Sequence, residues 1–400
     1  MSKPSLPAGG TPAQWWSSRR WSILILAAAA AIFALLVYTA NQGRTHQAQS
    51  TELDRLSYEA AEVLNVSKDE ITVDRTSFDL ISTGSQVVLL RLRSGEFAGE
   101  NVEVTNFVSA FNSLPLKVGD RVTVYQYVAA DGALDRVYIY EYDRIWAVYA
   151  LLAVFFAVVV LVGGRTGLKS LLGLGLTVIC VIWVLCPMLM KGADPVWTAF
   201  GLCVYVTVVS FVLLGGTGKK ILCAILGTVG GTGLAALFGA AAQAICRITS
   251  YSMYSTDSLL DEFKNIQLQG IPLHITGLLT AGILIAALGA VMDVAMSLSS
   301  AMAELKTVDP TLGKAELWRS AMRIGRDMVG TMTNTLILAF AGTSLVMILY
   351  LWSLDLSFRQ LMSSSFLAVE LISALSSSIG VVLCVPLTAA IGAFVYGAKR

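Results

Sequence analysis

The chain has 400 residues, of which 56% are hydrophobic and only 14% charged, with a formal net charge of +1. Apolar runs longer than about 18 residues recur along it, which excludes a water-soluble globular fold and implies a polytopic protein whose main partner is the lipid bilayer. No basic patch marks it for nucleic acid. Its two histidines, His46 and His274, are far apart, so neither a histidine metal site nor a catalytic triad is expected, and no cofactor is implied.

Lys3, Arg19 and Arg20 precede an apolar run from Trp21 to Ala40. Its length suits a full span, and Tyr38 stands where a cleavage site would want a small residue, so the run reads as an anchor rather than a signal peptide. The positive flank keeps residues 1–20 in the cytoplasm and delivers the segment after Ala40 to the outside.

Residues 41–144 change character. A helical prelude is expected from Thr51 to Leu64, then about five strands that include Ile71 to Val73, Gln86 to Leu92, Arg121 to Tyr127 and Arg136 to Tyr142. Asp131-Gly132 signals a hairpin, and LKVGDRVTV places a Gly-Asp turn directly before a strand. The expectation is a small extracytoplasmic β domain, an OB-like or SH3-like barrel, whose even mix of acids and bases suits docking better than oligonucleotide binding.

From residue 145 to 400 the chain reads as a seven-helix transmembrane domain, with spans near 145–163, 171–190, 196–214, 221–245, 272–300, 327–352 and 366–396. The cytoplasmic segments carry Lys3, Arg19, Arg20, Arg165, Lys169, Lys219, Lys220, Lys306, Lys314, Arg319, Arg323, Arg326, Lys399 and Arg400. The short outer loops carry only Lys191, Arg247, Lys264 and Arg359. This asymmetry predicts eight spans in all, with both termini cytoplasmic; the expected location is a bacterial plasma membrane. All six cysteines lie in or beside apolar segments, so no disulfide framework is implied.

Two Gly-rich basic turns, VGGRTGLKSLLG and LGGTGKKILCAI, sit at matching places and suggest a parallel repeat. The first does not qualify as a phosphate-binding loop, because Leu168 replaces the required glycine and no strand precedes it. Between the fifth and sixth spans, SLLDEFKNIQLQG reads as an interfacial helix within an outer loop, Ser250 to Gly270. Between the sixth and seventh, Gly313 to Arg326 reads as a basic cytoplasmic helix preceded by the cap-like Asp309-Pro310; it would rest on anionic lipid or take part in gating.

The sixth span, within Gly277 to Glu304, is interrupted by one carboxylate, Asp293. An acid in a lipid-spanning helix is costly unless it faces protein or water, so it is a functional candidate; the alternative is a pin that locks two helices together. Ser297, Ser300 and Glu304 come after it at helical spacing, and Gly282, Ala286 and Gly289 or Ala290 precede it. That thin, polar stripe is expected to look into the bundle and to bring Asp293 near Asn334 or Thr333 of the seventh span. The eighth span carries Glu370, aligned with Ser373 and Ser377, with Pro386 beyond. Carboxylates toward each surface, joined by Ser297, Thr333 and Asn334, have the composition of a proton or cation path.

Three segments, GLLTAGILIAALGAVMDVAMSLSSAMAELK, RIGRDMVGTMTNTLILAFAGTSL and ELISALSSSIGVVLCVPLTA, resemble the signature segments of the YibE/F-like membrane protein family, across most of residues 145–400. The resemblance implies one anchor, an outer β domain and a C-terminal bundle; it brings no established activity. A weaker likeness runs to SecF and to proton-driven RND permeases, in the order of a Gly-x-x-x-Asp helix, a basic amphipathic loop, a Thr-Asn-Thr helix and a Ser/Gly-rich helix, with Asp293 at the acidic position. The chain departs from RND exporters in lacking their duplication and their large outer domain.

The leading expectation is a secondary transporter or export-assisting permease for an unknown small molecule, ion or protein, in a chain that could form an oligomer. The alternative is a non-enzymatic assembly protein whose outer domain docks a ligand or protein. An intramembrane aspartyl protease is a third reading and is not expected, since it needs two facing aspartates and Asp293 stands alone at depth, with Asp327 at an edge.

Overall fold

The computed structural model describes residues 12–42, 56–74, 81–109, 114–129, 132–248, 274 and 277–397. The chain divides into two compact units, Gly43–Leu161 with the sheet, and Met1–Gln42 with Val162–Arg400, which form a helical bundle.

The sheet has six strands: β1 (Leu56–Asp69), β2 (Thr72–Asp74), β3 (Ile81–Leu92), β4 (Asn101–Val108), β5 (Arg121–Val128) and β6 (Leu134–Tyr142). All pairings are antiparallel; β1 is central, with β3 then β4 on one side and β5 then β6 on the other. Register shifts at Val63/Asn65 and Val66/Lys68 bend β1, and β4 approaches β6, so the sheet curls into a half-barrel. Its core is Ala61, Val63, Val88, Leu90, Val104, Val122 and Val124.

The expected helix from Thr51 to Leu64 is corrected. Residues 51–55 lie outside the described residues, and Leu56 onward is the central strand. Ala61 and Val63 alternate inward between two partner strands, and that pairing overrides the helical propensity of the Glu-, Ala- and Leu-rich string. The sheet also holds one strand more than expected. Two inward polar residues explain how loop 114–116 is held: Gln86, 2% exposed, donates to Leu116 O at 3.1 Å and accepts from Leu116 N at 2.9 Å, while Asn106 donates to Leu114 O at 2.8 Å. The β5–β6 hairpin forms as expected, with Gly132 at φ +83°; Asp131 lies outside the described residues.

The helices are α1 (Pro12–Asn41), α2 (Ile145–Cys180), a π-helical turn (Val181–Leu185), α3 (Cys186–Met190), α4 (Pro195–Gly215), α5 (Lys219–Ile245), α6 (Leu278–Val308), α7 (Lys314–Thr343), α8 (Leu345–Ser353), α9 (Phe358–Met362) and α10 (Ser365–Gly397). Among the described residues, six helical stretches are long and apolar enough to cross a membrane, or seven if α7 and α8, bent by 59°, form one span. One of the six is the 46-residue run Ile145–Met190, broken by non-helical Gly164 at φ 54°, ψ −134°. Gly216, at the matching place in the second Gly-rich turn, has φ 72°, ψ −145°. The two related strings therefore share a backbone turn as well as composition. The expected interfacial helix at Ser250 to Gly270 lies outside the described residues.

The anchor helix α1 belongs to the bundle. Tyr205 of α4 donates to Ala29 O at 2.9 Å, and Lys191 Nζ reaches the Thr39 and Gln42 carbonyls at 2.6 Å each. Pro187 has no amide to offer the Trp183 carbonyl four residues back, and Asn41 Nδ2 donates to that carbonyl at 3.0 Å.

The heart of the bundle is a close antiparallel seam between α5 and α10. Gly227, Gly231, Ala235 and Gly239 recur every four residues and meet Thr388, Cys384, Gly380 and Ser376 in turn. Small residues let the two backbones approach, and in lipid such contact, rather than hydrophobicity, holds helices together. α6 runs beside them, with Val291 against Gly231 and Ile283 against Gly239.

Candidate functional site: two intramembrane carboxylates

The face that α6 buries is Ile283, Ala287, Val291, Val294, Leu298 and Met302. Asp293 and Ser297 point the other way and are exposed, as are Gly282, Ala286 and Gly289; a Cβ placed on Gly282 or Gly289 would meet nothing within 4 Å. Among the described residues the stripe expected to line the interior is thus uncovered. The reason is that α6 turns its bulkier apolar side, Ile283, Val291, Leu298 and Met302, into the core and leaves its small and polar side outside. Among the described residues Asp293 has no hydrogen bond or ion pair; the four ion pairs, Lys68–Glu70, Arg93–Glu62, Arg136–Asp135 and Arg144–Glu141, all lie in the sheet unit.

Contact registers place the other residues. Cys384 Sγ lies 3.8 Å from Val291 O, so Asp293 is level with about residue 386 of the parallel helix α10. Glu370 is 16 positions earlier, roughly 24 Å away along the bundle at 1.5 Å per residue. α7 runs antiparallel to α10, with Gly325 against Val385 and Lys314 Nζ 5.1 Å from the Phe394 ring. Asn334 and Thr333 therefore stand roughly 14–15 Å from the level of Asp293, toward the Glu370 end. They do not meet Asp293 as expected. Asn334 is exposed, and the Thr333 hydroxyl is buried without a partner among the described residues.

Glu370 is half-buried and lines a cavity of about 460 Å³ with Ser344, Met347, Tyr350 and Phe366. Sequence reasoning found Ser373 and Ser377 on its face but missed the polar groups further inside: Thr228, Ser299, Ser376, Ser377 and Ser378 are all buried, with hydroxyls that have no partner among the described residues. The signal was the uninterrupted Ser376-Ser377-Ser378 in an apolar helix. Among the described residues no three His, Cys, Asp or Glu side chains converge as a metal site.

A second surface was missed altogether. Tyr58, Tyr125, Tyr127, Tyr138 and Tyr140 gather on the outer face of β1, β5 and β6, with Tyr125 stacked on Tyr138 at 5.2 Å and Tyr58 edge-on to Tyr140 at 5.3 Å. Burial, then its tyrosine neighbours, push the Tyr125 hydroxyl above its ordinary pKa. The signal here was the alternating tyrosines in RVTVYQYV and LDRVYIYEY.

A bundle of long apolar helices, with two intramembrane carboxylates that have no ion pair among the described residues, defines a multi-pass membrane protein. Residues 151–398 match the YibE/F-like protein family, and the chain belongs to it. No curated protein and no solved structure matches the chain.

Proposed function

We propose that this protein is a secondary transporter or export-assisting permease in which Asp293 and Glu370 take up and release a proton or another small cation. The observation that carries the reading is the pair of carboxylates, roughly 24 Å apart along the bundle and without an ion pair among the described residues. Intramembrane acids kept without a partner are expensive and belong to ion pathways. Ser297, one turn from Asp293, and Thr333 and Asn334, between the two levels, supply hydrogen-bonding groups along the way. The motif order shared with SecF and RND permeases points the same way, as analogy. The topology that goes with it has eight spans, counting Ile145–Met190 as two helices broken at Gly164 and α7–α8 as one bent span, with both termini cytoplasmic. The uncovered stripe of α6 is where a second copy or another protein would seal Asp293 from lipid.

The test is complementation of a null strain. Asp293→Asn keeps size and hydrogen bonding and should give a stable, inserted, inactive protein, while Asp293→Glu should retain part of the activity. Normal growth with Asp293→Asn, or loss of the folded protein as its only defect, would make the carboxylate a structural pin.

The tyrosine face favours a second reading, in which the OB- or SH3-like half-barrel docks a ligand or protein. Tyr125→Ala with Tyr138→Ala in the full chain would abolish function on this reading and spare it on the first.

A further inference from the structure

We propose that the junction between β6 and α2 binds the headgroup of a zwitterionic phospholipid, with the phosphate taken by Arg144 and the ammonium by Glu141 and the rings of Tyr140 and Tyr149. The site depends on neither Asp293 nor Glu370 and shares no lining residue with the Tyr125–Tyr138 stack, so it goes beyond both readings above.

A cavity of about 380 Å³ opens at this junction, within the sheet unit. It is walled by Tyr140, Glu141, Tyr142 and Arg144 on one side and by Val148 and Tyr149 of the first turns of α2 on the other. Small-ligand sites run from about 300 to 1,000 Å³. Tyr140 owes its place to a bulge: Thr123 pairs with Glu141 and Val124 with Ile139, so Tyr140 between them has no partner position on β5. Bulges re-aim a side chain, and this one lines the cavity. The other walls are pinned. Tyr142 donates its hydroxyl to Pro115 O at 2.7 Å, and Asp143 Oδ1 accepts from Ile145 N at 3.0 Å, capping α2.

The charges in the wall form a pair with capacity to spare. Arg144 Nη2 lies 3.2 Å from Glu141 Oε1, and the guanidinium carbon stands 5.7 Å from the centre of the Tyr142 ring. Glu141 Oε1 also accepts from Tyr142 N at 3.2 Å. Among the described residues nothing takes Glu141 Oε2 or the other guanidinium nitrogens, so open donors and an open acceptor stand side by side. A phosphodiester joined to an ammonium is their complement. The guanidinium bonds phosphate oxygens, the carboxylate pairs with the ammonium, and tyrosine faces attract the same cation. Because Arg144 and Glu141 cancel, a ligand of one sign would meet repulsion from one of them; a zwitterion meets none.

Position selects a lipid over a solute. α2 opens the run Ile145–Met190, long and apolar enough to cross a membrane. Its first turns are bare, with Trp146 62% and Tyr149 67% exposed. A helix that enters the bilayer at Ile145 sets Arg144 and these rings at headgroup level, where tryptophan and tyrosine concentrate. Headgroups of the leaflet on the sheet's side therefore stand at the mouth of the cavity.

The test titrates the purified full-length protein in detergent with phosphatidylethanolamine and counts bound lipid by native mass spectrometry. Arg144→Gln and Glu141→Gln should each weaken binding about tenfold, the worth of a hydrogen bond to a charged group. Tyr149→Ala, which leaves the ion pair alone, should weaken it as well, and Arg144→Lys should keep part of it. Arg144 and Tyr149 are exposed, so these variants leave the core intact. Arg91→Gln, at an exposed position on β3, should bind as the wild type does. Phosphatidylglycerol has the phosphodiester without the ammonium; the wild type should bind it more weakly, and Glu141→Gln should narrow the difference. Equal affinity of the wild type for the two lipids, or binding that Arg144→Gln lowers no more than Arg91→Gln, would overturn the site. Soluble glycerophosphoethanolamine bound as tightly as the lipid would make the ligand a solute and overturn the lipid assignment.

Discussion

Replacing Gly380 with alanine tests whether the α5–α10 seam holds the bundle together. A Cβ at this position would lie 2.6 Å from Ala235 Cβ and 3.1 Å from Gly231 O. Apolar carbons settle at about 3.5–4.0 Å, and neither a Cβ nor a backbone oxygen can rotate aside, so the helices must part by about 1 Å. Overpacking of this kind costs about 1–3 kcal/mol. Gly289→Ala is the control, because a Cβ there meets nothing within 4 Å. Both variants gain the same helix propensity of alanine over glycine, about 0.8–1 kcal/mol, so that gain cancels between them. Gly380→Ala should therefore be less stable than Gly289→Ala by about 1–3 kcal/mol, read as reversible SDS unfolding in mixed micelles monitored by tryptophan fluorescence. Equal stability of the two variants would refute the seam.

Three further outcomes are expected. The hydroxyl and then the backbone N–H of Thr311 hold the Asp309 carboxyl below the usual carboxylate range; its folded pKa is depressed, so its contribution is present above the unfolded value near about 3.9 and is lost as pH falls through the lower folded value. Thr311→Val should move that carboxyl upward in an NMR titration, and an unmoved pKa would contradict the assignment. A cysteine at position 85 in β3 should react with an impermeant thiol reagent on intact cells; labelling only after permeabilisation would reverse the topology. Asn41→Ala removes the donor to the Trp183 carbonyl and should loosen α1 by about 0.5–1.5 kcal/mol, seen as faster proteolysis of the N-terminal segment; unchanged proteolysis would make that bond incidental.

That the chain is built of long apolar helices was legible because bilayer thickness imposes a length that composition reveals, and a carboxylate within such a run stands out for the same reason. Which side of α6 faces inward was not legible. The polar stripe was expected to face the bundle, but the bulkier side fills the core, with Ile283, Leu298 and Met302 buried and Asp293 left outside. β1 was misread because its string favours a helix in isolation, and only its two neighbouring strands reverse that preference. β4 was missed although NVEVTNFV alternates, since Asn106 occupies an inward position that a purely apolar pattern would not assign. The four-residue recurrence of Gly227, Gly231, Ala235 and Gly239 was visible in the sequence. Its partner surface on α10, about 150 residues away, was not.

Movement of protons or cations through the two carboxylates is the central claim, and flux in proteoliposomes under an imposed pH gradient measures it directly. Wild type, Asp293→Asn and Glu370→Gln are reconstituted at equal, correctly folded density. The prediction is a gradient-dependent proton flux in the wild type that Asp293→Asn abolishes and Glu370→Gln strongly reduces. A flux of the same size in all three, or none above protein-free liposomes in the wild type, would contradict it.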